Sequence, residues 1–150
     1  VLKALKIEKG GDQMKIAICS KQQDLKILKK LTIDYCSECN CYPVIDSFEN
    51  RESIIEAMIK NSYYIVIVAM DKAKGMETVK HIHRRDGNAK IIWFSDDEDF
   101  AGFAFENEVK QFAIHPISSE KLIEGLERCG ISSIETTLCR VHLKADENSN

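Results

Sequence analysis

Short apolar runs alternate along the chain with segments whose apolar residues recur at every third or fourth position. The runs are "MKIAIC" (14–19), "YPVIDSF" (42–48), "YYIVIVAM" (63–70), "AKIIWFS" (89–95) and "VKQFAIH" (109–115), each rich in β-branched residues and of strand length. The third is apolar throughout, the pattern of a parallel strand covered on both faces. Between the runs lie helical stripes: Leu25, Leu28, Leu31 and Tyr35; Ile54, Ile55, Met58 and Ile59; Met76, Val79 and Ile82, expected to begin just after Gly75; Phe100, Phe103 and Ala104; and Leu122, Ile123 and Leu126. Ser118 is placed to cap the last helix, with Glu120 in its first turn, where the helix dipole favours an anion. Five strand–helix units in strict alternation predict an α/β fold, a doubly wound five-stranded parallel sheet. Sites in such folds lie beyond the carboxyl ends of the strands, where strand order reverses. The residues just after 19, 69, 95 and 115 therefore carry the functional question.

The chain has 150 residues, enough for one domain with a real core. Residues 1–13, "VLKALKIEKGGDQ", end in a Gly-Gly break before Met14 and read as a leader or expression extension. Residues 14–130 form the proposed domain. Residues 131–150 read as a C-terminal tail or linker, with one expected strand from Thr137 to Leu143. The net charge of −3 argues against this chain gripping nucleic acid by itself, since phosphate binding needs clustered positive charge. No segment has the apolar length of a membrane span or the layout of a signal peptide, so a cytoplasmic location is expected.

Six cysteines are present, three of them as C-x-x-C-x-C at Cys36, Cys39 and Cys41. Thiolates at that spacing can converge on a soft metal, but no second C-x-x-C or H-x-x-x-H follows to complete a site. Reduced cysteines at a helix end and strand start are the plainer expectation. His81 and His83 lie two apart on a helix and point to different sides, so they do not form an i, i+4 clamp. "SDDED" (95–99) fits a turn that starts a helix.

The chain from Met14 to about Gly130 resembles the receiver domain of bacterial two-component response regulators, the CheY-like, flavodoxin-like (βα)5 fold. The flavour is the LytR/AlgR type that precedes a LytTR DNA-binding domain. "MKIAIC", "NAKIIWFS" (88–95), "DEDFAGFAFE" (97–106) and "FAIHPISSEKL" (112–122) carry the resemblance. It implies five groups around a phosphoacceptor. An acidic pair after the first strand and an Asp after the third hold Mg²⁺; a Thr or Ser after the fourth and a Lys before Pro after the fifth bind the phosphoryl oxygens.

Here Ser20 and Lys21 stand at the acid pair, Ala69 at the phosphoacceptor, and His115 at the lysine. Ser95 keeps its hydroxyl, followed by Asp96 where a small residue is usual. Asp71, two residues past Ala69, is expected to be a solvated loop residue; a two-residue slip that brought it inward would displace the apolar run from its helical cover. Lys21 is expected either to point into water or to reach Asp96 or Asp71 and stand in for the missing cation. The resemblance also implies a cis peptide bond at His115–Pro116 and a switch-aromatic role for Phe112.

The resulting expectation is a degenerate pseudo-receiver: not an enzyme, with Mg²⁺ binding lost and no cofactor. It would act in signal transduction and transcription regulation through protein contacts. A homodimer or a protein partner would use the face made by the fourth helix, fifth strand and fifth helix. A sensor kinase is not expected as phosphodonor, DNA would be reached only through a domain outside this chain, and no membrane is involved. Two alternatives stand beside it: a receiver phosphorylated on Asp71, and a cysteine-based metal or redox sensor. A nucleotide-binding enzyme is disfavoured because "SKQQD" (20–24) replaces a glycine-rich phosphate loop.

Overall fold

Alternation along each central strand sends successive side chains to opposite layers, and the computed structural model, describing residues 13–132, shows which helices receive them. The strands are β1 (Lys15–Ser20), β2 (Val44–Phe48), β3 (Ile65–Ala69), β4 (Lys90–Ser95) and β5 (Gln111–Ile114). The helices are α1 (Gln22–Glu38), α2 (Arg51–Lys60), α3 (Lys72–Arg85), α4 (Ala101–Glu106, entered by a 3₁₀ turn at Glu98–Phe100) and α5 (Ser119–Arg128). All strands pair in parallel in the order β2-β1-β3-β4-β5.

Ile16, Ile18, Ile65, Ile67, Ile92 and Phe94 pack with Leu28 and Tyr35 of α1 and with Leu122 and Leu126 of α5. Ala17, Val66, Val68, Ile91 and Trp93 face the other way, onto Ile54 and Met58 of α2, Val79 and Ile82 of α3 and Ala104 of α4. Burying such side chains completely contributes roughly 1.5–3 kcal/mol each, which is why two well-filled layers fix this register. β3 lies in the middle of the sheet and every one of its residues is buried.

Local chemistry sets the helix starts. Asn50 caps α2 by accepting from the Ser53 N–H at 2.8 Å, and Ser118 caps α5 by accepting from the Lys121 N–H. The helix after β3 begins at Lys72, four residues earlier than the expected start just after Gly75, so that glycine lies inside the first turn of α3. Its place there is steric: a Cβ at Gly75 would lie 2.5 Å from the Met70 carbonyl oxygen and 3.0 Å from Trp93 Nε1. Around Trp93, Phe100 stacks and Phe103 and Phe112 approach edge-on, with Phe112 nearest at 5.0 Å between ring centroids. Phe103 is thus half-buried against the core, and the exposed aromatic of α4 is Phe105, at 85% exposure. Gln13 lies within the domain, its amide donating to the Tyr42 carbonyl at 2.7 Å. The expected strand at 137–143 and the leader up to residue 12 lie outside the described residues.

Candidate functional site

The strand order reverses between β1 and β3, so the crevice forms above the carboxyl ends of these two strands. Ser20 ends β1 and pairs in register with Ala69, which ends β3; both are fully buried. The Ser20 hydroxyl donates to the Lys21 carbonyl at 2.7 Å. The floor of the crevice is thus a hydroxyl turned to its own backbone beside a methyl group.

Above it lies an ion pair. Lys21 reaches across the crevice to Asp71, its Nζ 3.1 Å from Oδ2 and 3.4 Å from Oδ1. Asp71 is therefore neither a free loop residue nor an inward ligand: it occupies the N-cap position of α3, with its carboxylate turned to Lys21 rather than to the helix N–H groups. The hydrogen bond to Asp71, then the charge of that carboxylate, push the Lys21 ammonium pKa up. Lys21 also lies 4.0 Å from Asp24 in the first turn of α1, and the same Asp24 oxygen lies 4.0 Å from His115 Nε2.

Asp96 is not the partner of Lys21. It accepts the Lys72 backbone N–H at 2.8 Å, and Lys72 sits at φ 51°, a left-handed conformation uncommon for a residue with a Cβ. Asp96 thus ties the β4–α4 turn to the start of α3. The Ser95 hydroxyl donates to the Asp97 carbonyl and accepts the Asp97 N–H, which closes a local turn. Asp97 in turn caps the 3₁₀ turn through the Asp99 N–H, so the acidic run is built into a helix start. His115 closes the far side of the crevice: its N–H donates to the Ser95 carbonyl and its peptide bond to Pro116 is cis. Lys121 holds the following turn, its ammonium donating to the Ile114 and Pro116 carbonyls at 2.7 and 3.0 Å.

The structure therefore gathers Ser20, Lys21, Ala69, Asp71, Ser95, Asp96 and His115 around one crevice. Asp24, Lys72 and Lys121 also belong to it and were missed in the sequence. Asp24 had a signal, its three-residue spacing from Lys21 at a helix start; Lys72 acts through its backbone and had none. Lys21 faces Asp71 and lies 4.0 Å from Asp24, and Asp96 is held by the Lys72 N–H, while Asp24 Oδ2 and both ring nitrogens of His115 are buried without a hydrogen-bond partner among the described residues.

The cysteine cluster lies elsewhere. Cys36, Cys39 and Cys41 are buried at the carboxyl end of α1 and are not joined in a disulfide. Among the described residues, no group of three or more His, Cys, Asp or Glu side chains is arranged to hold a metal ion. No described helix is long and apolar enough to cross a membrane.

By sequence, no family model and no curated protein matches the chain. By structure, it is similar to the signal receiver domain of an HD domain-containing protein from Pseudomonas fluorescens. That match has 17% identity and TM-score 0.62 and covers 79% of this chain and 94% of that one. It is also similar to a CheY-like response regulator receiver domain protein from Methanospirillum hungatei, with 12% identity, TM-score 0.62 and coverage of 77% and 92%. DrrB, an OmpR/PhoB homologue from Thermotoga maritima, aligns at 17% identity and TM-score 0.60 over 78% of this chain but only 52% of its own length. At these identities the likeness defines the architecture: the fold is that of CheY-like receiver domains.

Proposed function

We propose that this chain is a signal-transduction receiver domain of the LytR/AlgR flavour whose phosphoryl chemistry has been lost, a pseudo-receiver that works by protein contact. The observation that carries the reading is the Lys21–Asp71 pair at 3.1 Å. A fixed ammonium occupies the neighbourhood in which a receiver would seat Mg²⁺, and the residue at the phosphoacceptor position, Ala69, has no nucleophile. The positive charge that phosphoryl transfer would require from a metal is supplied here by a residue that neither leaves nor coordinates oxygen. The crevice then stays in one charge state, and the domain presents a constant surface to its partner.

That partner surface is assigned to α4, β5 and α5, where Phe105 projects into solvent and Phe112 packs inward on Trp93. A homodimer on this face, a role in transcription and any DNA contact through a domain outside this chain belong to the same proposal. The test is incubation with acetyl phosphate, and separately with beryllofluoride, in the presence and absence of Mg²⁺, followed by intact-mass measurement and NMR. No adduct is expected. A Mg²⁺-dependent adduct that disappears in Asp71→Asn would overturn the reading and make Asp71 a phosphoacceptor.

A further inference from the structure

The carboxyl end of α1 closes with two backbone bonds: the Cys41 N–H donates to the Cys36 carbonyl at 2.8 Å and the Asn40 N–H to the Ser37 carbonyl at 3.1 Å. Asn40 sits at φ 56°, in the left-handed region that terminates a helix. This is a Schellman motif, whose geometry brings the side chains of the third-from-last helical residue and the second residue past the cap into contact. In most proteins that contact joins two apolar side chains; here both are cysteines, Cys36 and Cys41. The two thiols interact, and Cys41 is the largest influence pushing the Cys36 pKa up. Cys39, which the C-x-x-C spacing would nominate as the partner of Cys36, is the cap residue itself and influences the Cys36 thiol less than Cys41 does.

We propose that Cys36 and Cys41 form a reversible dithiol–disulfide pair, oxidised by a hydroperoxide. Cys41 is the less buried residue of the two, at 4% exposure against 0% for Cys36. Its thiol takes the terminal oxygen of the hydroperoxide to give a sulfenic acid and an alcohol, or water when the oxidant is hydrogen peroxide. The Cys36 thiol then attacks that sulfur; the S–S bond forms, the sulfenic oxygen leaves as water, and two electrons in all pass from the sulfurs to the peroxide. A small-molecule thiol reverses the step by exchange. Cys41 and burial both push the Cys36 pKa up, so the reaction proceeds from opened forms of the helix end and is slow beside that of an exposed thiolate. The site is well placed to be read: the Tyr35 hydroxyl donates to the Ile131 carbonyl at 3.5 Å, which joins this helix end to the segment where the chain leaves α5.

The test uses the full chain, treated with hydrogen peroxide, alkylated under denaturing conditions without reductant and digested with trypsin. The peptide from Leu31 to Arg51 contains all three cysteines. It should lose two hydrogen atoms and take up one alkyl group, on Cys39, where the untreated protein takes up three. Dithiothreitol should restore the reduced pattern. Cys39→Ser should keep the cross-link, and Cys41→Ser, checked for native circular dichroism, should abolish it. A Cys36–Cys39 link, an unchanged peptide, or oxygenated cysteines without a cross-link would overturn the proposal.

Discussion

Lys21 Nζ stands 3.1 Å from Asp71 Oδ2, joining the residue that follows β1 to the N-cap position of α3 across the one crevice the strand order creates. Both side chains remain in contact with water, so the pair holds two loops in place without adding much to global stability. Lys21→Met and Asp71→Asn should each lower the melting temperature slightly, and the double variant should melt no lower than the weaker single. Raising salt to about 1 M should shrink each difference, since exposed charges are screened within a few ångströms there. Because the ammonium pKa is raised, the stabilisation is fully present below the ordinary lysine value of about 10.4 and is lost as pH climbs through the raised one. Additive losses in the double variant, measured by circular dichroism, would refute the coupling.

Rebuilding the acids is a sharper trial of the crevice. Ala69 and Ser20 are fully buried, so a carboxylate placed at Ala69 loses its water while the nearby ammonium, Lys21, is already paired with Asp71. Ala69→Asp should cost about 3–5 kcal/mol, the usual consequence of an uncompensated buried charge. In the triple variant Ser20→Asp, Lys21→Asp, Ala69→Asp, millimolar Mg²⁺ should raise the melting temperature, as any ligand that binds only the folded state does. The unmodified protein should not respond. Trp93, the sole tryptophan and itself buried, reports the change by fluorescence through Phe100 on the β4–α4 turn. A Mg²⁺ response in the unmodified protein would contradict the proposed loss of metal binding.

How much of this was legible in the sequence follows from which forces act locally. The apolar run of β3 and the stripe through Leu28 and Tyr35 were readable because burial on a periodic element leaves a periodic trace. Ser118 was readable because capping is a short-range hydrogen bond. Gly75 misled, since its low helix propensity suggested a helix start while its real constraint is contact with Met70 and Trp93, distant in the reading of α3 alone. The destination of Lys21 depended on how two loops turn, as did the backbone role of Lys72. The Schellman turn at Asn40 has a local signature, an asparagine in the left-handed region just after a helical stripe, which the neighbouring cysteine spacing overlies.

Buried thiols make the domain sensitive to alkali. Burial, with Glu52 nearby, pushes Cys19 up to about 12; burial does the same to Cys129, against the opposing pull of Lys90. An unfolded chain releases these protons near 9.0, while the folded one keeps them, so above that pH the unfolded state binds fewer protons and stability falls. Each thiol should steepen the fall towards about 1.4 kcal/mol per pH unit as the unfolded thiol ionises, which amounts to about 1.4 kcal/mol in all between about pH 8 and 10. Urea unfolding between pH 8 and 10, below the lysine range, measures this loss, and Cys19→Ala with Cys129→Ala should reduce it, leaving the part due to Cys36 and Cys39, whose pKa values are also raised. An unchanged slope in the double variant would place the alkaline sensitivity elsewhere.

Two glycines give a matched comparison that tests the packing of α3. Gly102 lies in α4 with nothing within 4 Å of where a Cβ would stand, so Gly102→Ala should stabilise by about 0.5–1 kcal/mol through helix propensity and a less flexible unfolded chain. Gly75 offers the same gain from propensity, but its added methyl would meet the Met70 carbonyl at 2.5 Å, and that oxygen belongs to backbone that cannot swing aside. The turn around it is tied at both ends, by Lys21 on Asp71 and by Asp96 on the Lys72 N–H. Relief would require α3 to lift from β3 and β4, opening the layer around Trp93. Overpacking of this kind costs about 1–3 kcal/mol, more than propensity returns. Gly75→Ala should therefore destabilise and shift Trp93 emission, while Gly102→Ala does neither; equal stability gains in the two variants would show that α3 does not seat against the Met70 carbonyl as closely as the geometry requires.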